Sequence, residues 1–320
     1  MDRVAVVYNG RSGALLAGGG PVPRERLGRL FDRCGVAAEL RAFDPDTLAA
    51  DVRALLAGAP DALIVAGGDG TVRAVAEHLL GSDVPLGVLP AGTMNVLARD
   101  LGVPDDLDRA AETLLAAPVA RIDVATVNGQ PFLCSSMLAM MPHLGRLRER
   151  ARGGAGLGVL RLLGRGLRLV RRYPRMRLTI VVDGQDTSEQ GTGGQGTGGR
   201  KYEVRTRAVV VSCNPLAAGP PPMPGRDRLD AGTLAVYVTH DRTNWDLLAV
   251  ATKLFRGNWQ QDPRIRAYEG RTVQVTSPRL ALMSVMSDGE IGQLNLPLRY
   301  AIQPGALLVL APGTAAPCSR

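Results

Sequence analysis

Residues 64–78 read Ile-Val-Ala-Gly-Gly-Asp-Gly-Thr-Val-Arg-Ala-Val-Ala-Glu-His. The apolar start predicts a buried strand, the glycines predict a turn, and the rest predicts the start of a helix. Backbone N–H groups in such a turn, together with the positive end of the helix dipole, bind anions. The stretch lacks the Lys-Ser/Thr pair of a P-loop, and Arg73 stands where the dinucleotide-binding pattern has its third glycine. The sequence therefore predicts an anion site of another kind, with the carboxylate of Asp69 inside it.

The surrounding sequence, up to about residue 124, alternates strand and helix patterns. Alternation of this kind predicts an α/β fold with a parallel sheet that helices cover on both faces. Strands are predicted at residues 4–8, 38–42, 62–66 and 85–89, and helices at 24–34, 46–57 and 106–116.

After residue 124 the pattern changes to short strands separated by turns such as Val-Asn-Gly-Gln. Two helical intervals, near 144–172 and 244–256, interrupt these strands. We therefore predict two domains, an α/β domain at 1–124 and a β-rich domain at 125–320. At 320 residues the chain is long enough for both.

Composition and targeting signals narrow the class of protein further. The N-terminus has no basic region before a long apolar run, and no apolar run reaches the roughly 18 residues that a spanning helix needs. We expect a cytoplasmic protein that does not cross a membrane. The cysteines lack a Cys-x-x-Cys pair, so we expect reduced thiols and no structural zinc site. They are Cys34, Cys134, Cys213 and Cys318.

Positive charge is concentrated in one segment. Residues 144–177 hold eleven arginines and one glutamate, which leaves 27 basic and 29 acidic residues in the rest of the chain. Apolar residues at 160, 163, 167 and 170 recur with a helical period, and arginines occupy nearly the opposite face. The helix either packs on its own domain with a solvated basic face or also contacts an anionic membrane, and the two are compatible. Tyr173 is the one aromatic residue among the arginines, and no nucleic-acid-binding module is recognisable, so no nucleic acid is expected.

Two further turns have the same form as the first. Residues 85–104 contain a strand, the turn Pro-Ala-Gly-Thr-Met-Asn and a helix, and residues 8–13 contain Tyr-Asn-Gly-Arg-Ser-Gly after the first strand. Turns at the carboxyl ends of parallel strands lie where open α/β sheets bind ligands. Late in the chain, Asp288-Gly-Glu290 follows a predicted strand, and taken alone it is typical of a hairpin turn.

In this order, the four motifs resemble the diacylglycerol kinase type of lipid kinase. This family includes bacterial soluble lipid kinases and sphingosine kinases and is remotely related to NAD kinases. The resemblance spans most of the chain. It implies two domains with ATP in the cleft between them, the first an α/β nucleotide-binding domain and the second a β-sandwich-like domain that receives the lipid.

The resemblance also implies roles for individual residues. Glu290 is the expected general base, and Asp288 either orients it or assists the metal. Asp69 is expected at Mg²⁺, because magnesium prefers carboxylate, phosphate and water oxygens. Asn9 and Asn95 either bind nucleotide or fix their turns. The expected nucleotide-binding residues are Asn9, Ser12, Gly13, Gly67, Gly68, Asp69, Gly70, Thr71, Gly92, Thr93 and Asn95.

The chain departs from the family pattern at four places, and one of them is Gly10, where the family's first turn has Pro. Many members have Asn-Glu where Arg73 and Ala74 stand, and Asp where Val96 stands. Some bacterial members hold an accessory Mg²⁺ with an Asp shortly before a Leu-Asp-x-Gly sequence, and Arg226 occupies that position here, with Asp227 next to it.

We therefore expect a lipid kinase, dependent on ATP and Mg²⁺, that phosphorylates a diacylglycerol-like lipid at a membrane surface. The segment 146–177 would hold it peripherally on anionic lipid. Two alternatives stay open: an inactive homologue that binds nucleotide or lipid, and a kinase of a soluble acceptor related to NAD kinase. A homodimer is also left open.

Overall fold

A computed structural model of the chain describes residues 1–16, 22–151, 168, 173–183, 199–218 and 224–313. The chain forms two compact units. The first comprises Met1–Val124 and the segment that begins at Pro304, and the second comprises Ala125–Gln303.

The first unit alternates strands and helices around a parallel sheet. Its strands pair in parallel in the order β2 (Ala37–Ala42), β1 (Arg3–Tyr8), β3 (Ala62–Gly67) and β4 (Leu86–Pro90). The apolar strands β1 and β3 are almost wholly buried at its centre. Parallel strands end at one edge of a sheet, so the turns after β1, β3 and β4 emerge together. The elements are β1 (Arg3–Tyr8), α1 (Gly13–Leu16), α2 (Pro23–Arg33), β2 (Ala37–Ala42), α3 (Leu48–Ala57), β3 (Ala62–Gly67), α4 (Asp69–Glu77), β4 (Leu86–Pro90), α5 (Val96–Asp100) and α6 (Leu107–Leu115).

The end of the last strand, β16 (Leu298–Leu310), also belongs to the first unit. Its Val309 pairs with Leu86 of β4 in parallel, and the Gly305 N–H donates to Asp123 Oδ1 at 2.9 Å. The sequence-based division places residues 125–320 in the second domain, whereas the segment from Pro304 on packs with the first unit. The pairing joins positions more than two hundred residues apart, and no local pattern announces it.

The second unit is built from antiparallel strands. Besides the first part of β16, its elements are β5 (Val119–Val127, which begins in the first unit), β6 (Gln130–Phe132), β7 (Ser135–Ala139), α7 (Met141–Ala151), β8 (Met176–Asp183), β9 (Arg200–Thr206), β10 (Ala208–Cys213), β11 (Leu234–Thr239), α8 (Asn244–Phe255), a 3₁₀ turn (Trp259–Gln261), β12 (Ile265–Gly270), β13 (Thr272–Thr276), β14 (Leu282–Ser287) and β15 (Glu290–Asn295). One sheet has the order β12-β11-β10-β7-β14-β15, and the other has the order β16-β13-β8-β9, beginning with the first part of β16.

Side chains from both sheets of the second unit share one apolar core. Ile180 and Val273 come from one sheet and Leu138 and Val236 from the other, and all are buried. Two sheets that enclose a common core form a β-sandwich. The structure thus confirms the predicted fold class, a parallel-sheet α/β domain followed by a β-rich, sandwich-like one.

The predicted basic helix at 144–172 is described only in part. Helix α7 covers Met141–Ala151, and apart from exposed Arg168 the rest of that prediction lies outside the described residues. In the part of the chain that the structure covers, no helix combines the length and the apolar character needed to span a membrane.

Asp262 is a buried carboxylate near the end of α8 that fastens this helix to β12. The Arg264 backbone N–H and its Nε both donate to Asp262 Oδ1, at 2.9 and 2.8 Å, and Lys253 Nζ lies 3.3 Å from Oδ2. The hydrogen bonds from the Arg264 side chain lower the pKa of Asp262 to about 2.

We predict that Asp262→Asn lowers the free energy of unfolding near pH 7 by about 2 kcal/mol, because a carboxylate with a depressed pKa stabilises the fold when it is ionised. This stabilisation is present above the unfolded-state pKa of about 4 and is lost as the pH falls toward 2. Urea unfolding should show that the difference in the free energy of unfolding between wild type and variant narrows as the pH falls across this range. Asp230→Asn, at an exposed ion pair with Arg228, is the control and should cost under about 1 kcal/mol. A gap that does not change with pH would contradict the prediction.

Candidate active site

In chain order, the turns after β1, β3 and β4 are the first, second and third turns, and Asn9 holds the first against the second. Its backbone N–H donates to Ala66 O at 2.9 Å, and its side-chain Nδ2 donates to Thr71 Oγ1 at 3.1 Å. Its Oδ1 accepts the Arg11 N–H at 3.0 Å, which closes the turn itself. Of the two roles left open for Asn9, the described contacts are those of a residue that fixes the turn.

The predicted residues Ser12, Gly13 and Gly70 lie at helix starts. Ser12 is buried, and its carbonyl accepts the N–H of Leu15 in α1 at 3.1 Å. Gly13 is the first residue of α1, and a Cβ there would have open space. Gly70 is the second residue of α4.

The second and third turns contact each other through glycine backbone. A Cβ added at Gly92 would lie 2.4 Å from Gly68 Cα, and one at Gly67 would lie 2.8 Å from Thr71 Cβ. Real Cβ atoms do not come this close, so Gly67 and Gly92 have a structural requirement beyond the close approach of phosphate that the sequence suggested.

Asn95 closes the third turn. It has a left-handed backbone conformation with φ of 46°, which Asn tolerates better than most residues. Its Oδ1 accepts the Gly92 N–H at 2.9 Å, and its Nδ2 donates to Gly92 O at 3.1 Å. Both ends of the amide therefore serve the turn, while Thr93 is exposed.

Asp69 joins the starts of two helices. It is the first residue of α4, and its Oδ1 accepts the N–H of Val96, the first residue of α5, at 2.7 Å. Burial raises the pKa of the Asp69 carboxyl, and backbone N–H groups led by that of Val96 oppose the rise. Helix α4 has no side-chain cap at Gly68, so its first N–H donors remain suited to an anion.

Asp69 fits a magnesium site of limited kind. Within the described residues, no group of three or more His, Cys, Asp and Glu side chains is arranged to hold a metal ion. Magnesium in nucleotide sites usually takes one or two carboxylates together with phosphate and water oxygens. A site with Asp69 as its protein carboxylate therefore fits magnesium that arrives with a nucleotide.

The departures from the family pattern lie beside these turns. The Val96 side chain is 8% exposed, so it packs in the interior where many family members would offer a carboxylate. Arg73 is half-buried on α4, one helical turn after Asp69.

In the second unit, Asp288 and Gly289 form a two-residue hairpin loop between β14 and β15. Their φ angles are 47° and 89°, as a type I′ turn requires, and Ser287 pairs with Glu290 across the loop. The Asp288 N–H donates to Ser135 O at 2.9 Å. The hairpin interpretation of this motif is therefore confirmed.

The carboxylate of Asp288 is buried and fully engaged. Its Oδ2 accepts the Leu133 N–H at 2.6 Å, and its Oδ1 accepts the N–H groups of Cys134 and Ser135 at 2.9 and 3.0 Å. Burial raises the pKa of Asp288, while these N–H groups and the charge of Arg226 favour the ionised form. Asp288 therefore anchors the loop that carries Glu290, which agrees with the orienting role and not with the metal role.

Glu290 is the first residue of β15, and its side chain is exposed. Helix α7 packs closely on the same hairpin. A Cβ at Gly145 of α7 would lie 2.6 Å from Met286 Sδ and 3.2 Å from Ile291 Cδ1. Sequence reasoning missed this contact and the 133–135 amides, and a glycine inside a predicted helix was the one available signal.

Two family models match the chain along most of its length. Residues 3–127 match the diacylglycerol kinase catalytic domain, and residues 153–311 match the YegS C-terminal NAD kinase beta sandwich-like domain. The chain belongs to the diacylglycerol kinase type of lipid kinase family. The four motifs quoted from the sequence lie within the matched ranges.

Curated relatives match shorter parts of the chain, and two of those described here are named as kinases. A diacylglycerol kinase of Bacillus subtilis is 33% identical over 140 residues, 42% of this chain and 44% of the relative. The lipid kinase YegS of Escherichia coli is 43% identical over 72 residues, 21% of this chain and 24% of the relative. An uncharacterized Synechocystis protein is 26% identical over 261 residues, 80% of this chain and 56% of the relative. The chain thus spans between about a quarter and just over half of these relatives.

Solved structures share the fold of this diacylglycerol kinase-type chain. A crystal structure described as a diacylglycerol kinase from Bacillus anthracis has a TM-score of 0.68 at 19% identity and covers 98% of both chains. Another from the same organism has a TM-score of 0.71 at 20% identity, with coverage of 98% of this chain and 99% of that one.

We predict that Gly92→Ala destabilises the first unit by about 1–3 kcal/mol, because the new methyl group would overlap the Gly68 backbone. Gly10→Ala is the matched control, since a Cβ at that turn position has nothing within 4 Å. Chemical denaturation of both variants measures the difference. Equal stability of the two would contradict the turn-to-turn contact.

Proposed function

We propose that the protein is a lipid kinase that uses ATP and Mg²⁺ to phosphorylate the hydroxyl of a diacylglycerol-like lipid. The observation that carries the proposal is the bonding of three strand-end turns to one another in the first unit. Asn9 bonds to Thr71, Asp69 bonds to Val96, and Gly68 contacts Gly92. Family membership supports a lipid as the acceptor.

The turns of the first unit are suited to a nucleoside triphosphate. N–H groups at the uncapped start of α4 donate to phosphate oxygens, and the Thr71 and Thr93 hydroxyls extend this set. Asp69 would hold Mg²⁺, which would neutralise phosphate charge. Because the turns are fixed by internal bonds, little reorganisation is needed when the nucleotide binds.

Glu290 in the second unit is the proposed general base. As the lipid hydroxyl oxygen bonds to the γ-phosphorus, Glu290 accepts its proton, the bond from the γ-phosphorus to the bridging oxygen breaks, and ADP leaves. Exposure makes the Glu290 carboxylate accessible to a substrate hydroxyl. Asp288 holds the loop in place through three backbone N–H groups.

We predict that Glu290→Gln lowers transfer of labelled phosphate from ATP to lipid by about 10²–10⁴-fold, the usual contribution of a general base. The assay uses Mg²⁺ and mixed vesicles that contain a panel of neutral lipids. Asp69→Asn keeps an acceptor for Val96 but loses the charge, so it should need more Mg²⁺ for the same rate. The exposed Glu203→Gln and Asp83→Asn are the matched controls and should transfer at the wild-type rate.

Three outcomes of this assay would contradict the proposal in different ways. Wild-type protein that binds ATP but labels no lipid would be the inactive binding homologue. Label found only in a soluble acceptor would indicate a kinase closer to NAD kinase. Full activity of Glu290→Gln would remove Glu290 from the mechanism.

We further propose that the second unit contacts an anionic membrane surface. Arg168, in the arginine-rich segment, is exposed, and each arginine near an anionic surface contributes about 1 kcal/mol. Trp245, the second residue of α8, is 77% exposed, and the exposed Arg242 lies two residues before the helix. An exposed tryptophan is suited to the membrane interface, because its ring is apolar and its N–H is polar.

We predict that Trp245→Ala weakens binding to vesicles rich in anionic phospholipid by about fivefold, which corresponds to partial burial of the indole. Vesicle sedimentation at low and high salt measures this binding, and high salt should weaken the vesicle binding of both wild type and variant. Val119→Ala removes another exposed apolar side chain and should bind as wild type does. Equal binding to neutral and anionic vesicles would exclude the arginine contribution.

A further inference from the structure

Arg226 is a buried arginine whose guanidinium binds backbone. Arg226 is only 7% exposed. Nη1 donates to the carbonyl oxygens of Leu133 and Cys213, at 2.6 and 2.9 Å, and Nη2 lies 3.4 Å from Cys134 Sγ. Arg226 therefore ties the segment before β7 to the end of β10.

Arg226 and Asp288 bind the same short segment. The Leu133 carbonyl accepts from Arg226, while the N–H groups of Leu133, Cys134 and Ser135 donate to Asp288. A buried carboxylate without compensation costs several kcal/mol, and the positive charge of Arg226 favours ionised Asp288. The two charges thus hold the segment from opposite sides of its peptide groups.

The same residue occupies the position where the family resemblance implies a carboxylate ligand of an accessory Mg²⁺. A guanidinium cannot ligate a metal ion, and its charge repels one. It also binds the carbonyl oxygens of Leu133 and Cys213, which are ligands of the kind that a hard cation prefers. The residues present here therefore do not fit that accessory metal.

We infer that Arg226 is an internal cation that takes the place of the accessory metal and, with Asp288, positions the hairpin loop that carries Glu290. Arg226 is a positioning residue, since it acts on Glu290 through the 133–135 segment and Asp288. An arginine suits the task because its guanidinium stays charged and the two N–H groups of its Nη1 each reach one carbonyl, while Nη2 reaches Cys134 Sγ. The effect on catalysis rests on the proposed kinase function, whereas the replacement of the metal does not.

The first experiment needs no activity. Thermal unfolding of nucleotide-free protein is compared in EDTA and in Mg²⁺, for wild type, Arg226→Asp and Arg226→Gln. We expect wild type and Arg226→Gln to unfold at the same temperature in both buffers, and Arg226→Asp, which restores a carboxylate, to be stabilised by Mg²⁺. A Mg²⁺-dependent rise in wild type as large as in Arg226→Asp, or no rise in Arg226→Asp, would overturn the replacement of the metal.

The second experiment measures lipid phosphorylation by wild type, Arg226→Gln and Arg226→Lys. Misplacement of a reacting group by about 1 Å costs up to about 100-fold, so we expect kcat of Arg226→Gln to fall by about 10- to 100-fold. The KM for ATP should not change, because the nucleotide turns belong to the first unit. Arg226→Lys, which keeps the charge, should recover part of kcat.

Arg228→Gln is the matched control, because Arg228 is exposed and pairs with Asp230 two residues away. It should match wild type in both experiments. Wild-type kcat in Arg226→Gln would overturn the positioning role, and so would a parallel loss in Arg228→Gln. If wild type itself phosphorylates no lipid, the proposed function fails, and the unfolding experiment still decides whether Arg226 replaces the metal.

Discussion

The hydrogen bond from Val96 N–H to the Asp69 carboxylate is the contact on which the first unit's site depends. It links the turn after β3 to the turn after β4, and so fixes the starts of α4 and α5 relative to each other. The two turns come close enough for this bond because glycine stands at positions 68 and 92. Asp69 lies among N–H groups that are suited to donate to phosphate, and structure explains its presence there first. Backbone N–H groups partly satisfy the charge of its carboxylate without a metal ion.

The second unit uses the same device in different surroundings. Asp288 also lies in a glycine-containing turn, is buried, and accepts backbone N–H groups from a segment distant in sequence. The two sites differ in what offsets the burial of the carboxylate. At Asp288 the buried Arg226, which also binds Leu133, contributes a positive charge, whereas at Asp69 backbone N–H groups offset the burial. In both units an aspartate fixes a loop, and this leaves the exposed groups, Thr93 in one and Glu290 in the other, available to ligands.

Local patterns in the sequence were sufficient for the fold class and for the position of each motif. The alternation before residue 124 predicted the parallel strands, and Asp-Gly predicted the hairpin loop at 288–289. What could not be predicted depends on pairs remote in sequence. The end of β16 beside β4, the partners of Asp288 153 to 155 residues away, and the Arg226 contacts all arise from tertiary packing, which single-sequence periodicity does not encode. The sequence indicates only that Arg226 replaces a metal ligand. Its partners are main-chain carbonyls, which no residue type in the sequence predicts.

The substitution at Val96 has a consequence for how the nucleotide turns work. Its backbone N–H binds Asp69 whatever its side chain is, so the turn survives the change from a carboxylate to an apolar group. Its buried side chain adds apolar packing at the start of α5 but offers no oxygen to a metal. Under the proposed function, one carboxylate in these turns rather than two would leave more of the coordination of magnesium to phosphate and water oxygens. Metal binding would then be tied closely to bound nucleotide. The loss of the second carboxylate would still be compatible with phosphoryl transfer, because that reaction depends on positioning and charge neutralisation.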